Sequence, residues 1–241
     1  QLMLFDLLEK YNKKNYSRFH MPGNKGILDI NLSHDVTELD CTDDLYNSNG
    51  AIRDSEKLIS EIYGSGYSVF STGGNTLCIQ AMLYLAMPNG GTIIIAKNAH
   101  KSVINAMGIL DINPIWVNYD KNNLIFSEIK NAIQNHPEAQ AVFITSPDYF
   151  GAMADIQKIK SLCKNLILLV DNAHGSHLIF FGNHPINLGA DLCADSAHKT
   201  LPVLTGGAFL HISKKFSQTN KICYKDIKNA TNEWSSPKEL E

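Results

Sequence analysis

Lys199 stands in the run Ala194-Asp195-Ser196-Ala197-His198-Lys199-Thr200-Leu201-Pro202, directly after a short apolar stretch and beside hydroxyl and imidazole groups. A lysine amine is nucleophilic near neutral pH only where a dry or cationic setting lowers its pKa, and it can then condense with a carbonyl to a Schiff base. That placement marks Lys199 as an amine for covalent chemistry. Upstream, Asn165-Leu166-Ile167-Leu168-Leu169-Val170-Asp171 reads as an apolar strand ending in a carboxylate, followed by Asn172-Ala173-His174-Gly175. A third group is Ser71-Thr72-Gly73-Gly74-Asn75, where a short strand runs into a helix. Glycines at such a turn let free N–H groups approach an anion, and the helix dipole favours negative charge there.

An aldehyde for the lysine, a pyridine nitrogen kept protonated by the carboxylate and a phosphate on the glycine turn together describe pyridoxal 5′-phosphate. Asp171, His174 and His177 also have the residue types of a metal site. They follow a buried strand, however, no further ligand stands at suitable spacing, and a metal leaves Lys199 unexplained. No metal is expected.

These groups need a scaffold. Continuous apolar runs at Thr92-Ile93-Ile94-Ile95-Ala96, Ala139 to Thr145 and Leu166 to Val170 read as buried parallel strands. Shorter ones are expected at Tyr67 to Ser71, Pro114 to Val117, Leu192 to Asp195 and Ala208 to His211. Helical periodicity lies between them, at 52–63, 77–87, 103–110, 127–135 and 156–163. Alternation of this kind predicts a three-layer α/β fold, with a mostly parallel sheet of about seven strands and helices on both faces. In such sheets ligands bind outside the strand C-terminal ends, where Asp171, His100 and the run Ser146-Pro147-Asp148-Tyr149 all fall. Ser146 and Tyr149 are further candidates to reach cofactor or substrate.

The chain of 241 residues carries a formal charge of −3, which gives no reason to expect nucleic acid or an anionic membrane as a partner. Small molecules are the expected ligands. Its five cysteines, Cys41, Cys78, Cys163, Cys193 and Cys223, are odd in number and scattered, which fits reduced thiols in a cytoplasmic protein. Asp6, Glu9 and Lys10 interrupt the apolar N-terminal pattern of Leu4, Leu7, Leu8 and Tyr11. That segment reads as a packing arm, neither a signal peptide nor a membrane span. The start at Gln1 is compatible with a trimmed or internal fragment.

Phe19-His20-Met21-Pro22-Gly23, Ser71-Thr72-Gly73-Gly74-Asn75, Asp171-x-Ala173-His174-Gly175 and Ser196-x-His198-Lys199-Thr200-Leu201-Pro202 occur in this order. They resemble the major domain of the Orn/Lys/Arg decarboxylases, a family of fold type I pyridoxal phosphate enzymes, from about Leu4 to His211. The last two motifs are specific, and the glycine turn alone is weak. The chain departs from the family at Asn24, where members usually have histidine.

The resemblance implies an aminotransferase-like large domain at residues 53–212. An N-terminal arm and active-site loop segment at 1–52 would precede it. A polar tail at 213–241, shortened relative to the family, would follow, with Trp234-Ser235-Ser236-Pro237 echoing a family turn. It also implies decarboxylation of lysine, ornithine or arginine to an amine and carbon dioxide by a homodimer or higher homo-oligomer. The N-terminal segment would lie across the partner subunit, and the 35–52 segment would line the site near the subunit boundary. His100 would lie flat on one face of the pyridine ring and Ala173 on the other. Ser196, His198 and Thr72-Gly73-Gly74 would hold the phosphate, and either Lys199 or His174 would return a proton to the α-carbon. Asp43, Asp44 and Asp148 are candidates for the substrate's distal cation. Another lyase or an aminotransferase using the same cofactor is the alternative, as is an inactive cofactor-binding fragment without the family's smaller C-terminal domain.

Overall fold

A computed structural model of the chain describes residues 10–14, 16–25, 43–119 and 125–235. The arm residues Leu4, Leu7 and Leu8, residues 35–42 of the 35–52 segment and Ser236-Pro237 lie outside them. The elements run α1 (Ala51–Tyr63), β1 (Tyr67–Ser71), α2 (Gly74–Ala86), β2 (Gly91–Ala96), α3 (Lys101–Ile109), β3 (Ile112–Val117), α4 (Ile125–Asn135), β4 (Ala139–Thr145), α5 (Ile156–Leu162) and β5 (Ile167–Asp171). A 3₁₀ segment (Ser176–Phe181), β6 (Leu192–Asp195), the single turn α6 (Ala197–Thr200), β7 (Ala208–Ile212), α7 (Lys214–Thr219) and α8 (Tyr224–Ser235) complete them.

All seven strands join one sheet in the order β1-β7-β6-β5-β4-β2-β3. The five from β3 to β6 are parallel, and β7 runs antiparallel to both β6 and β1. This is the expected mostly parallel α/β sheet, with helices over both faces.

Strand periodicity divides the core in two. Ile93, Ile95, Phe143, Leu169, Leu192, Ala194 and Leu210 face α2, α3 and α8 in one cluster. Ile94, Val142, Ile144, Leu168, Val170 and Cys193 face α4 and α5 in the other. The same parity decides where each strand-end residue goes. Asp171 follows Leu169 by two residues and therefore turns to the α2 side, whereas Asp195 follows Cys193 by two and turns to the opposite side.

Residues 213–241 read as polar, yet α7 and α8 form there and α8 packs on α2 and β1. Ile227 and Ala230 supply its apolar stripe, and Lys228 is only 2% exposed. The Lys228 ammonium donates to Glu56, which is fully buried on α1 and also accepts from the Tyr224 hydroxyl and, at 2.8 Å, from the Phe70 N–H. The ion pair ties α8 to α1 across 172 residues of chain.

Removing one partner of a buried ion pair leaves a desolvated charge, at a cost of about 3–5 kcal/mol. Lys228→Ala is therefore expected to lose about 3 kcal/mol or more in urea unfolding, and a loss below about 1 kcal/mol would show the pair to be solvent-relaxed.

Candidate active site

A cleft of about 620 Å³ opens at the C-terminal ends of the parallel strands, against the first turns of α2 and α3. Its lining brings together Gly74, His100, Asp171, Ala173, His174, Ser196, His198 and Lys199, which the sequence offered separately, and also Tyr149. Thr72 and Gly73 sit on the exposed turn immediately before Gly74. The strands deliver the side chains, and parity aims Asp171 at this face.

Asp171 is 2% exposed. Burial pushes its carboxyl up to about 6 from the ordinary 3.8, while the Ala173 N–H, the Lys199 amine and the Asn75 amide pull it down. Its Oδ1 accepts from Asn75 Nδ2 at 2.8 Å and from the Ala173 N–H at 3.1 Å. Asn75 escaped sequence reasoning as a positioning residue. Its place in the first turn of a helix that begins at Gly74 was the available signal.

Lys199, half-buried on α6, has its pKa lowered by burial, with the Asp171 charge acting in the opposite sense. Its Nζ lies 3.3 Å from His174 Nε2. Burial first, and then the neighbouring amine, lower the His174 pKa, so this imidazole is disposed to be neutral and able to exchange a proton with Lys199. The His100 pKa falls for the same two reasons. Its Nδ1 accepts the Ser102 N–H at 3.2 Å, which caps α3 and pins the ring at the cleft rim. Tyr149 meets His174 edge-on at 5.9 Å between ring centres.

The glycine turn differs from expectation in which atoms face the cleft. Gly74 has φ +69°, which glycine adopts without strain, but its N–H is spent on Gly206 O at 2.9 Å. Gly73 N–H goes to Ser71 Oγ at 3.2 Å. The opening N–H groups of a helix have no carbonyl one turn back, so the donors for an anion here are those of Asn75 and Thr76. Gly206 must also be glycine, since a Cβ there would stand 2.8 Å from Thr72 O. His198 Nδ1 donates to Gly207 O at 3.2 Å and lies 3.3 Å from Ser196 Oγ, which places both side chains beside the turn.

Other candidates lie apart from the cleft. Asp43 spends its carboxylate on the N–H groups of Asp44, Asn49, Gly50, Ile52 and Arg53 at the start of α1. Burial opposes its ionisation, but these donors more than offset it and hold the carboxyl far below the usual range. Asp148 accepts from Phe150 N–H at 2.9 Å, Ala152 N–H at 2.8 Å and the Tyr119 hydroxyl. Asp44 accepts from Tyr46 N–H at 2.8 Å, and none of the three carboxylates lines the cleft. His177 packs its ring edge-on to Phe181 at 6.2 Å and does not line the cleft. The Ser146 hydroxyl accepts the Ala154 N–H at 2.9 Å, within its own loop.

Behind the cleft, on the opposite sheet face, the fully buried Asp195 accepts from Asn172 Nδ2 at 2.7 Å and His184 Nε2 at 3.0 Å, with His211 Nε2 at 3.5 Å. Burial raises the Asp195 carboxyl, but the two histidines outweigh it and keep the group ionised. Asn172 directly follows Asp171, so this network anchors the backbone that carries the cleft carboxylate. Local spacing in the sequence gave no sign of it.

The N-terminal loop closes over the lysine turn. Gly23 N–H donates to His198 O at 2.7 Å, and Asn24 Nδ2 donates to Val203 O at 3.1 Å. A Cβ on Gly23 would stand 2.7 Å from Leu201 O.

A family model described as Orn/Lys/Arg decarboxylase, major domain, matches residues 3–236. The chain is 34% identical to the uncharacterized protein YaaO of Bacillus subtilis (strain 168), over 87% of this chain and 48% of that protein. It is 29% identical to an arginine decarboxylase of Halalkalibacterium halodurans, over 92% of this chain and 50% of the relative. The chain thus spans about half the length of these curated relatives. Among solved structures, the lysine decarboxylase LdcF of Francisella novicida superposes with a TM-score of 0.62 at 22% identity, covering 78% of this chain and 29% of that one.

Two outcomes are expected from this geometry. Gly23→Ala should displace the lysine turn and cut the reaction rate of the Lys199 amine with a small aldehyde several-fold, with little change in global unfolding; an unchanged rate would show the loop contact to be slack. In the ligand-free protein, the raised Asp171 pKa favours the folded state below pH about 4 and that advantage is lost as pH rises through about 6. Asp171→Asn should therefore gain roughly 1–3 kcal/mol over wild type at pH 8 and nothing at pH 4, measured by urea titration. Parallel pH profiles would refute this.

Proposed function

Because the chain belongs to the Orn/Lys/Arg decarboxylase family through its major domain, we propose that it carries the cofactor-binding and catalytic part of a pyridoxal 5′-phosphate-dependent decarboxylase acting on arginine, lysine or ornithine. The observation that supports this most is the meeting, in one cleft, of a pKa-lowered lysine and a buried carboxylate that needs a cation. The cleft fits the cofactor in three respects: an amine for its aldehyde, an anion for its ring nitrogen, and, at the start of α2, N–H groups that have no carbonyl partner among the described residues for its phosphate. Bound there, the cofactor supplies an electron sink for the pair released as carbon dioxide departs.

The protein's own contributions follow from the geometry. Lys199 offers its amine at half burial, where less of it is protonated than in water. Asp171 holds a proton on the ring nitrogen, and Asn75 and the Ala173 N–H fix the direction of its carboxylate. His100, pinned by Ser102, and Ala173 would hold the ring between them and fix its plane. His174 and Lys199, 3.3 Å apart, form the pair from which the α-carbon is reprotonated. Asn75 and Thr76 N–H groups, with Ser196 and His198, hold the phosphate.

With Asp43 and Asp148 committed to their own loops, the partner of the substrate's distal cation is a group other than these two. The reading includes a cytoplasmic homodimer, as the family resemblance implies. Among the described residues no helix is long and apolar enough to cross a membrane.

The full chain incubated with pyridoxal phosphate should turn yellow and release carbon dioxide and the matching amine from one of the three amino acids, and Lys199→Ala should do neither. Colour without amine formation would favour a binding-only role for this chain. A keto acid in place of carbon dioxide and amine would instead assign it to the aminotransferases.

A further inference from the structure

Among the described residues that line the cleft, Asp171 is the sole carboxylate, and it is buried and held by Asn75 and the Ala173 N–H. A basic amino acid therefore finds no free anion there for the far end of its side chain. A cation can also be recognised without an anion, by the electron-rich face of an aromatic ring. Tyr149 brings such a ring to the cleft lining and leaves it 80% exposed.

The loop that carries this ring is braced on both sides of it. Buried Asp148 accepts the Phe150 and Ala152 N–H groups and the Tyr119 hydroxyl, and Ser146 Oγ accepts the Ala154 N–H at 2.9 Å. Tyr149 thus presents an open ring from a fixed backbone. It also stands within reach of the reacting end of a substrate. Lys199 Nζ lies 3.3 Å from His174 Nε2, and the His174 and Tyr149 rings are 5.9 Å apart between centres. An amino acid whose α-amine takes the place of the Lys199 amine can lay its side chain along His174 and bring its far end over Tyr149.

The chemistry of the cation then selects among the three amino acids. An ammonium is compact and strongly hydrated, and it must shed water to approach a ring. A guanidinium is planar, more weakly hydrated and stacks on aromatic faces. At a ring as open as this one the guanidinium is favoured. We propose that Tyr149 recognises the distal cation of the substrate by stacking on it, and so selects arginine over lysine and ornithine. The proposal rests on the cofactor reading above and narrows its substrate.

The test uses the full chain loaded with pyridoxal phosphate. Dissociation constants for arginine, lysine and citrulline, the uncharged ureido analogue of arginine, are read from the change each makes in the visible band. Wild type should bind arginine about 10-fold more tightly than lysine or citrulline. Tyr149→Leu should weaken arginine about 10-fold and leave the other two within about 2-fold, whereas Tyr149→Phe, which keeps the ring, should stay near wild type. Because Tyr149 also touches His174, a loss that came only from a displaced imidazole would fall equally on all three ligands. Wild type that gives no visible band would overturn the cofactor reading and this proposal with it. A coloured wild type that does not prefer arginine would overturn the proposal alone, as would a Tyr149→Leu variant that loses arginine and citrulline equally or loses neither.

Discussion

The site depends on one unfavourable act, the burial of the Asp171 carboxylate. Taken out of water at 2% exposure, it is pushed toward protonation, and only an amide, a backbone N–H and the amine of Lys199 pull it back. A group so poised favours a cationic partner more than an exposed aspartate would, because it has little solvation left to lose. The same dryness depresses the pKa of Lys199 and His174. One low-dielectric pocket thus makes an anion that wants a proton and an amine that gives one up.

The sheet supplies the precision. Neighbouring strands β5 and β6 each end in an aspartate, yet their fates are opposite because side chains alternate along a strand. Asp171 faces α2 and lines the cleft, whereas Asp195 faces away and is locked by His184, His211 and Asn172. A shift of one residue in either strand would turn its aspartate to the opposite face. The buried network also explains why Asn172 is wholly enclosed: it links the two strand ends and leaves Asp171 little freedom to turn.

Much of this was legible in the sequence, for a physical reason. Continuous β-branched and apolar runs such as Ile93-Ile94-Ile95 and Leu168-Leu169-Val170 read as strands covered on both faces, and the polar residues that end them fall on the ligand side of such a sheet. Lys199, Asp171 and His174 were singled out that way, and the fold brings all three into one cleft. What stayed hidden depends on distant partners. Asp195, His184 and His211 meet only after folding, Asn75 became a positioning residue because α2 starts three residues earlier than its apolar pattern, and Asp43, a candidate for the substrate's distal cation, has its carboxylate claimed by backbone N–H groups at the start of α1. The helices after β7 were masked by polar composition, since a few residues such as Ile227 and Ala230 carry their whole buried stripe.

The clasp between the N-terminal loop and the lysine turn also bears on biosynthesis. Asn24 and its acceptor on Val203 are separated by 179 positions, so a segment made early finds its landing site only when nearly all of the sheet has left the ribosome. Until then its aromatic neighbour Phe19 and the unlatched lysine turn travel separately.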